Sequence, residues 1–379
     1  MNIGFSACVL QGGRTGVASY VINLLHTLQY VDTENRYDIF IPAADKALVN
    51  DGPGSFRKIV IPDVLSGPVA NILWHNMALP VRSGRERYDL VHVPSYRRLP
   101  LVKGTKIVAT VHDLATLHLD NKYDAARMFY NRRIVPTLIR RADRIITVSQ
   151  FTACDLVNMT GYPAERITVI YPGIQRQIYC PVSPGECRDR LKSKYGLEFP
   201  FIVFVSRVEH PAKNHLRLIK AFEQIKARHP SELKLVLAGA DWNGSGTVKE
   251  YAARSPVARD VVFTGFVPIE DIPYFYSGCE FMVYPSLFEG FGFPIIEAMS
   301  CGAQVVCSNT SSMKEIACDL TPTFDPANVD EIAAAMEGAL TRGKNPESVA
   351  RGMTYAASFD WKVTARKVMD VYRKSLEEE

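Results

Sequence analysis

The fold is decided by residues 281–302, which read FMVYPSLFEGFGFPIIEAMSCG. An apolar run leads through a Pro-Ser turn into a glycine-rich loop, and the loop leads into a helical pattern. Gly290 and Gly292 let the backbone approach a ligand closely, and the helix start directs N–H groups and a positive dipole end toward the loop. With Glu289 and Glu297 nearby, the segment suits a polyhydroxylated anion such as a nucleotide sugar. The alternative is an ordinary strand–loop–helix corner with two solvated glutamates.

Length and composition indicate a globular protein of two domains. A chain of 379 residues is too long for one typical core, and 47% apolar and 22% charged residues are ordinary values. Residues 1–180 hold 21 Lys/Arg against 14 Asp/Glu, whereas residues 181–379 hold 23 against 26. The basic first half indicates an anionic ligand or surface on that side, and chance scatter is the alternative. No nucleic-acid partner is indicated.

Cysteine usage and the N-terminus both indicate a cytoplasmic protein. The eight cysteines form no Cys-x-x-Cys pair and no zinc-ligand spacing. Several lie in apolar segments, where free thiols pack as small hydrophobic groups, and this favours a reducing compartment. No apolar run has the length needed to span a bilayer, and the N-terminus lacks the basic region of a signal peptide.

Apolar strands alternate with helical or loop segments through both halves, the pattern of an α/β fold. The first strand runs into the turn QGGRTG at residues 11–16, which is not G-x-G-x-x-G and therefore favours a flexible turn over a cleft. A loop-like stretch at residues 175–200 places the domain boundary near residue 180. The sequence predicts two parallel, doubly wound sheets. The predicted strands are 2–10, 37–41, 58–61, 90–93, 107–110, 143–148, 167–170, 201–206, 233–238, 261–264, 280–284 and 304–308.

Histidines stand near the ends of two predicted strands of the first half. The carboxyl ends of parallel strands line the ligand crevice, so His112-Asp113 is placed where a catalytic pair would be. A structural histidine that caps the strand is the alternative for His112, and for His92 it is the favoured reading.

Two cations flank the loop that follows the first strand of the second half. Arg207 and Lys213 lie six positions apart, between a strand end and a helix start. Cations that converge in this way would hold a pyrophosphate and neutralise the charge that develops on a departing nucleoside diphosphate. A pair of surface cations is the alternative. The chain has no D-x-D pair, so the sequence does not indicate a metal as the phosphate ligand.

A segment at residues 123–142 combines a helical pattern with several arginines and interleaved apolar residues. Such a helix would lie on an anionic membrane face. A core helix with a solvated basic side is the commoner alternative.

The run LFEGFGFPIIEAMSCG resembles the E-x7-E signature of the retaining glycosyltransferases of family 4, which have the GT-B fold. Matches to that family continue in order along the chain: GGRTGVASY, DLVHVPSY, TVHD, ITVSQFT, VIYPGI, SRVEHPAKNHLRLIKAF, LVLAGA, VVFTGFVP and FDWKVTARKVMDVYR. The resemblance implies two Rossmann-like domains that face a central cleft. The N-terminal, acceptor-binding domain would be residues 1–180 joined by a C-terminal helix at about 359–379, and the nucleotide-sugar domain would be residues 181–358.

The resemblance also implies roles for individual residues. Arg207 and Lys213 would hold the donor diphosphate, with Gly13 and Gly16 facing the cleft beside it. Glu297 would bind the ribose and Val267 would lie near the base. Glu289 would bind the sugar hydroxyls and His112 would lie at the reacting centre. The other sugar-binding residues would be Gly290, Phe291, Gly292 and Phe293, through their backbone N–H groups.

The chain departs from the family pattern at three places. Ser206 stands where the family often has glycine, Gln175 stands where an acid helps to shape the hinge, and Arg14 extends the opening loop. None of these departures affects the cationic pair or the two glutamates.

By resemblance, the reaction is transfer of a hexose with retention, by attack on the face from which the diphosphate leaves and without a metal. KNHLRLIKAF and FEGFGFPIIEAM resemble bacterial mannosyltransferases of surface polysaccharide and lipopolysaccharide assembly, which favours GDP-mannose as donor; no other cofactor is expected. The acceptor would be a saccharide or a lipid-linked oligosaccharide, the latter at the inner face of the membrane. The alternatives are a nucleotide-sugar epimerase or hydrolase, a nucleotide-dependent oxidoreductase, and a non-catalytic binding protein.

Overall fold

The computed structural model describes residues 1–100, 102, 104–118, 128–198 and 200–377. The chain divides into two compact units. The first unit is Met1–Gly173 together with Asp360–Glu379, and the second is Ile174–Phe359. Each unit is built on its own parallel β-sheet with helices in the connections, and the predicted fold class is confirmed.

The first unit contains a seven-stranded sheet of order β3-β2-β1-β4-β5-β6-β7. All of its pairings are parallel, so each connection must cross the sheet and most carry a helix. The strands are β1 (Asn2–Ser6), β2 (Arg36–Pro42), β3 (Phe56–Ile61), β4 (Leu90–Val93), β5 (Lys106–Val111), β6 (Arg144–Thr147) and β7 (Ile167–Val169). The α-helices whose bounds lie within the described residues before 174 are α1 (Gly16–Val31), α2 (Pro68–Glu86), α3 (Ala115–His118), α4 (Val135–Ile139) and α5 (Gln150–Thr160).

The second unit contains a six-stranded parallel sheet of order β10-β9-β8-β11-β12-β13. The strand order reverses between β8 and β11, which lie side by side although three helices separate them in sequence. The strands are β8 (Phe201–Val205), β9 (Lys234–Ala238), β10 (Val261–Gly265), β11 (Met282–Tyr284), β12 (Val305–Ser308) and β13 (Thr323–Phe324). The helices are α6 (Pro184–Tyr195), α7 (His215–Arg228), α8 (Ser245–Arg254), α9 (Ile272–Gly278), α10 (Phe293–Ser300), α11 (Ser311–Ala317), α12 (Val329–Arg342) and α13 (Pro346–Ala357).

The last helix, α14 (Trp361–Glu377), belongs to the first unit. Thr364 Oγ1 donates a hydrogen bond of 2.8 Å to the carbonyl of Tyr171, and the Tyr372 hydroxyl lies 2.6 Å from His92 Nδ1. Because side chains alternate along β4, Val91 and Val93 face a core cluster on one side of the sheet while His92 meets α14 on the other. Part of the cover of the second face of this sheet therefore comes from the far end of the chain, beside helix α1.

Most predicted strands differ from the structure by one or two residues at an end, and two places differ more. Strand β1 ends at Ser6 rather than at residue 10, because residues 7–10 are buried but leave the ladder after the Ala7 amide bonds to the carbonyl of Phe40. The predicted strand was too long because residues 7–10 are apolar and buried without belonging to the sheet. Strand β13 was not predicted, because it is two residues long and too short for any alternation to be recognised.

The basic segment predicted as a helix lies partly outside the described residues, since nothing is described at 119–127, including Arg127. The part that follows is helical, as a π-type turn at Tyr130–Ile134 and then α4. Among the described residues, no helix combines the length and the hydrophobicity that a membrane crossing requires.

Tyr372→Phe should destabilise the first unit, because it leaves a buried ring nitrogen of His92 without its partner. We expect a loss of about 1–3 kcal/mol in the free energy of unfolding, measured by urea denaturation. Tyr30→Phe is the control, because Tyr30 is 78% exposed and should leave stability unchanged. Equal effects of the two substitutions would contradict the role assigned to this bond.

Candidate functional site

The candidate residues of the second unit collect where the carboxyl ends of β8 and β11 lie side by side. These two strands are hydrogen-bonded neighbours, and the strand order reverses between them. In open parallel sheets the ligand crevice forms at such a switch point. The loops after the two strands are joined directly, because the Leu287 amide donates a bond of 3.0 Å to the carbonyl of Ala212.

Lys213 and Glu289, predicted as phosphate-binding and sugar-binding residues, meet in this crevice. Lys213 Nζ lies 2.5 Å from Glu289 Oε1, and the two side chains are only 17% and 16% exposed. The Tyr284 hydroxyl donates a 3.0 Å bond to the same oxygen. Burial and the nearby Glu289 carboxylate raise the pKa of Tyr284 well above its ordinary value, so this hydroxyl remains a neutral donor. The Lys213 ammonium and the Glu289 carboxylate thus lie side by side, where they suit a ligand that carries both negative charge and hydroxyl groups.

The backbone of Glu289 is fixed by two serines that the sequence analysis missed. Its amide donates a 3.0 Å bond to Ser311 Oγ, and its carbonyl accepts a 2.9 Å bond from Ser312 Oγ. Both serines lie at the start of α11, more than twenty positions away, so no local pattern connects them with the loop. The loop then turns at Gly292, whose φ of +94° is one that other residues rarely adopt, and α10 begins at the next residue.

Asn214 holds the loop that carries Lys213. Its side-chain amide donates bonds of 3.0 Å to the carbonyl of Pro285 and 2.7 Å to that of Pro326, and the residue is buried. Its φ of +62° places it in the left-handed region, which asparagine tolerates better than most residues. One asparagine therefore ties the start of α7 to the loop after β11.

Arg207 follows β8 directly and is positioned by two side chains that the sequence analysis missed. Its Nη2 lies 3.2 Å from Glu209 Oε2, and its guanidinium carbon lies 4.5 Å from the centre of the Trp242 ring. The close approach of the strand ends here requires Gly239, because a Cβ at that position would lie 2.0 Å from the carbonyl oxygen of Ser206. Convergence of Arg207 with Lys213 on one phosphate group stays a prediction.

Val267 lies at the same edge of the sheet, two strands away from β8. It follows the end of β10 by two residues, and Gly265 at that end pairs with Gly239. The Val267 side chain is buried, whereas the neighbouring Phe266 ring is 68% exposed. The ends of β8, β9 and β10 thus form one continuous edge, on which the predicted base-binding position lies.

Glu297 lies on α10, in the second turn after the loop, and is partly buried. The Tyr276 hydroxyl donates a bond of 3.3 Å to Glu297 Oε2. Burial raises the pKa of Glu297 to about 7, and the hydroxyls of Tyr179 and Tyr276 act in the opposite direction. This carboxyl group therefore titrates near neutral pH, where a bound hydroxyl group would favour its ionised form.

The remaining predicted residues, His112, Gly13 and Gly16, belong to the first unit. His112 follows β5, and its ring packs edge-on against Tyr20 at 4.7 Å. Its Nε2 is buried and has no hydrogen-bond partner among the described residues. Burial lowers the pKa of His112 to about 4, so the ring is neutral at pH 7. Gly13 lies in the turn after β1 with φ +77°, and Gly16 is the first residue of α1.

His92 has the structural role that was favoured for it. Its ring is fully buried, with Nδ1 2.6 Å from the Tyr372 hydroxyl and Nε2 2.8 Å from Thr110 Oγ1. Burial lowers the pKa of His92 to about 3. A neutral, fully hydrogen-bonded ring is a packing element of the sheet rather than a reacting group.

Two family descriptions match the two halves of the chain. Residues 14–177 match Glycosyltransferase Family 4, and residues 188–353 match Glycosyl transferases group 1. The O-antigen chain mannosyltransferase B of Escherichia coli is 31% identical over 270 residues, which are 71% of this chain and 70% of that protein. The serotype-specific mannosyltransferase WbdA of Escherichia coli is 31% identical over 278 residues, which are 72% of this chain and 34% of that protein.

Solved structures resemble the whole chain. Anabaena Alr3699/HepE in complex with UDP and glucose has a TM-score of 0.76 and 22% identity, over 99% of this chain and 100% of that one. Sucrose-phosphate synthase from Thermosynechococcus elongatus has a TM-score of 0.77 and 19% identity, over 100% of both chains. The GT-B fold expected from the resemblance is confirmed.

Asn214→Ala should loosen the loop that carries Lys213, because two buried carbonyl groups lose their donor. We expect a loss of about 2–4 kcal/mol in the free energy of unfolding, measured by chemical denaturation. Asn309→Ala is the control, because Asn309 is exposed. An unfolding midpoint that shifts equally in both variants would contradict the assigned role.

Proposed function

Because the chain belongs to the group 1/family 4 glycosyltransferases, we propose that it transfers a hexose from a nucleoside-diphosphate sugar to a saccharide or lipid-linked saccharide acceptor. The observation that carries the proposal is the Lys213–Glu289 pair at the switch point of the second sheet. A cation for phosphate and a carboxylate for sugar hydroxyls lie within one hydrogen bond of each other there. Those are the two chemistries that a nucleotide sugar presents.

On the donor side, Lys213 and Arg207 bind the diphosphate, with Gly13 and Gly16 as further backbone contacts. Glu289 accepts hydrogen bonds from the sugar hydroxyls, and backbone N–H groups of the loop at residues 290–293 donate hydrogen bonds to the sugar oxygens. Lys213 then has two anionic partners, the Glu289 carboxylate and the diphosphate. Its charge neutralises the oxygen that becomes the leaving group.

On the sugar side, the bond between the anomeric carbon and the diphosphate oxygen breaks while the acceptor hydroxyl attacks from the same face. The departing phosphate oxygen takes the proton of that hydroxyl. Because attack and departure occur on the same face, the product keeps the donor's anomeric configuration. Glu289 positions the sugar and does not attack it. His112 is assigned to the reacting centre, where its neutral ring is suited to hydrogen bonding with a sugar hydroxyl.

At the nucleoside end, Glu297 accepts hydrogen bonds from the ribose hydroxyls and Val267 lies beside the base. GDP-mannose is the favoured donor, and the two Escherichia coli relatives described as mannosyltransferases support this choice. A thermal-shift screen over nucleotide sugars tests it, because a ligand that binds only the folded state raises Tm with its concentration. If uridine diphosphate sugars raise Tm and guanosine diphosphate sugars do not, the donor is a uridine diphosphate sugar and not GDP-mannose.

Lys213→Ala, Arg207→Ala and Glu289→Gln should each lower the turnover of sugar transfer by about 100-fold or more, because each removes charge or a hydrogen bond from the transition state. Transfer of labelled mannose from GDP-mannose to oligomannose or to a lipid-linked acceptor measures the effect.

The matched controls are Arg228→Ala and Glu337→Gln, which break an ion pair of the same unit whose side chains are 51% and 27% exposed. These two variants should keep the wild-type rate. Wild-type rates in all three site variants, with intact folding by circular dichroism, would remove the proposed site.

Binding of GDP-mannose should strengthen as pH rises toward 7 and level off above it. Ribose hydroxyls favour the ionised Glu297, so the complex has a lower Glu297 pKa than the free protein, in which it is raised to about 7. Below that pH, binding must release a proton, and affinity falls by about tenfold between pH 7.5 and 5.5.

Isothermal titration calorimetry with GDP-mannose measures this dependence without interference, since a sugar diphosphate has no phosphate ionisation in that range. Glu297→Gln should bind with nearly constant affinity from pH 5.5 to 7.5. A variant that keeps the wild-type slope would assign the titration to another group.

A further inference from the structure

Trp242 is an exposed aromatic residue in the loop after β9, in the unit that carries the candidate site. The chain contains three tryptophans. Trp74 and Trp361 are 7% and 8% exposed, whereas Trp242 is 50% exposed. Aromatic rings that remain partly in water are enriched at surfaces where a ligand or partner binds, because their large apolar area is covered there. The exposed indole is therefore a candidate for contact with a ligand.

The backbone that carries Trp242 is fixed by hydrogen bonds to the loop after β8. The Val208 amide donates a 2.9 Å bond to the carbonyl of Ala240, and the Trp242 amide donates a 3.0 Å bond to the carbonyl of Val208. The His210 amide donates a further 3.0 Å bond to the carbonyl of Asn243. The two loops thus continue as a paired ribbon beyond the sheet, and the position of the indole is set before a ligand binds.

The carboxyl edge of the second sheet presents three residues in the order of its strands. Arg207 follows β8, Trp242 follows β9 and Val267 follows β10, and β9 lies between the other two strands. Because neighbouring strands are about 4.8 Å apart, β8 and β10 are separated by about 10 Å. A nucleotide with its diphosphate at Arg207 and its base at Val267 therefore crosses the end of β9, where the indole is exposed.

Glycines form the edge of the sheet between Trp242 and Val267. Gly239 pairs with Gly265 at the ends of β9 and β10. A Cβ added at Gly265 would have no atom of the described residues within 4 Å, apart from its chain neighbours. The edge is therefore open here, and a planar ring can approach the backbone closely.

The indole also contacts the residue assigned to the diphosphate. The guanidinium carbon of Arg207 lies 4.5 Å from the centre of the Trp242 ring, and half of the Trp242 surface still remains exposed. A guanidinium group and a nucleobase are both planar, and both stack on aromatic rings. Adjoining residues can thus receive the phosphates and the base of one nucleotide.

We propose that Trp242 is the base-stacking residue of the donor site and that it selects a purine nucleoside diphosphate. The two fused rings of an indole match the two fused rings of a purine, whereas a pyrimidine covers less of the indole, so stacking favours the purine. The inference rests on the proposed nucleotide-sugar site, and it adds to that site the residue that distinguishes one class of base from the other.

Isothermal titration calorimetry with GDP and with UDP separates base stacking from phosphate binding, because the two nucleotides share their ribose and diphosphate. The wild type should bind GDP more tightly than UDP, and Trp242→Leu should reduce the ratio of the two affinities about fivefold. Arg207→Ala is the matched control, because it should weaken both nucleotides by a similar factor and keep the ratio. A Trp242 that acts only by holding Arg207 would likewise leave the ratio unchanged.

Tryptophan fluorescence gives a second readout, because Trp74 and Trp361 are buried in the first unit. GDP should quench the emission of the wild type as the site fills, since a stacked guanine quenches an indole. Trp242→Phe should abolish this quenching while GDP binding remains measurable by calorimetry. Quenching that persists in this variant would place the responsive tryptophan elsewhere and overturn the inference.

The outcomes distinguish this inference from the donor site on which it rests. With thermal unfolding midpoints unchanged, a GDP-to-UDP ratio that Trp242→Leu leaves intact would overturn the stacking role and retain the site. If neither nucleotide binds the wild type, the donor site and the inference both fail. If Phe266→Ala and not Trp242→Leu reduces the ratio, the base stacks on the exposed ring after β10, and the role of Trp242 is also overturned.

Discussion

The ion pair between Lys213 and Glu289 joins the two loops on which the candidate site depends. Lys213 comes before α7 and Glu289 before α10, and the pair forms because β8 and β11 are adjacent at the point where the strand order reverses. Both side chains are largely removed from water, and an unpaired charge in such a buried position would be unfavourable. The pair therefore constrains both loops, and any anion that binds Lys213 does so beside a carboxylate that is already in position.

The local environment of each ionisable group determines its role. Glu289 is paired with a lysine and a tyrosine hydroxyl, whereas Glu297 lies beside two tyrosine hydroxyls, and burial raises the pKa of Glu297 to about 7. His112 in the first unit lies in an apolar environment that keeps it neutral. Environment rather than residue type thus distinguishes a carboxylate held in an ion pair, a carboxyl group that titrates near neutral pH and a neutral imidazole ring.

The sequence predicted the structure best where the signal lies within a short stretch of residues. The apolar runs located nearly every strand, and the order of strands and loops indicated two parallel sheets with polar residues at their carboxyl ends. The proximity of Lys213 and Glu289 could be predicted in general terms, because both follow strands of one sheet and the carboxyl ends of those strands share an edge.

The supports of the site could not be predicted, because they come from distant segments. Ser311 and Ser312 lie beyond the next strand, and Asn214 bonds to carbonyl groups at Pro285 and Pro326. Trp242 stacks on Arg207 across the ends of neighbouring strands. Helix α2 was also missed: Pro80 and the lack of charged residues obscure its period.

The assignment of α14 to the first unit has a consequence for biosynthesis. The chain leaves that unit after Gly173 and returns only at Asp360, so a ribosome completes the whole second unit before the first can close. Until then the His92 side of the early sheet lacks the part of its cover that α14 supplies, and apolar surface stays exposed there. Loss of the final seventeen-residue helix by a premature stop codon should therefore damage the amino-terminal half of the protein and spare the half synthesised just before it.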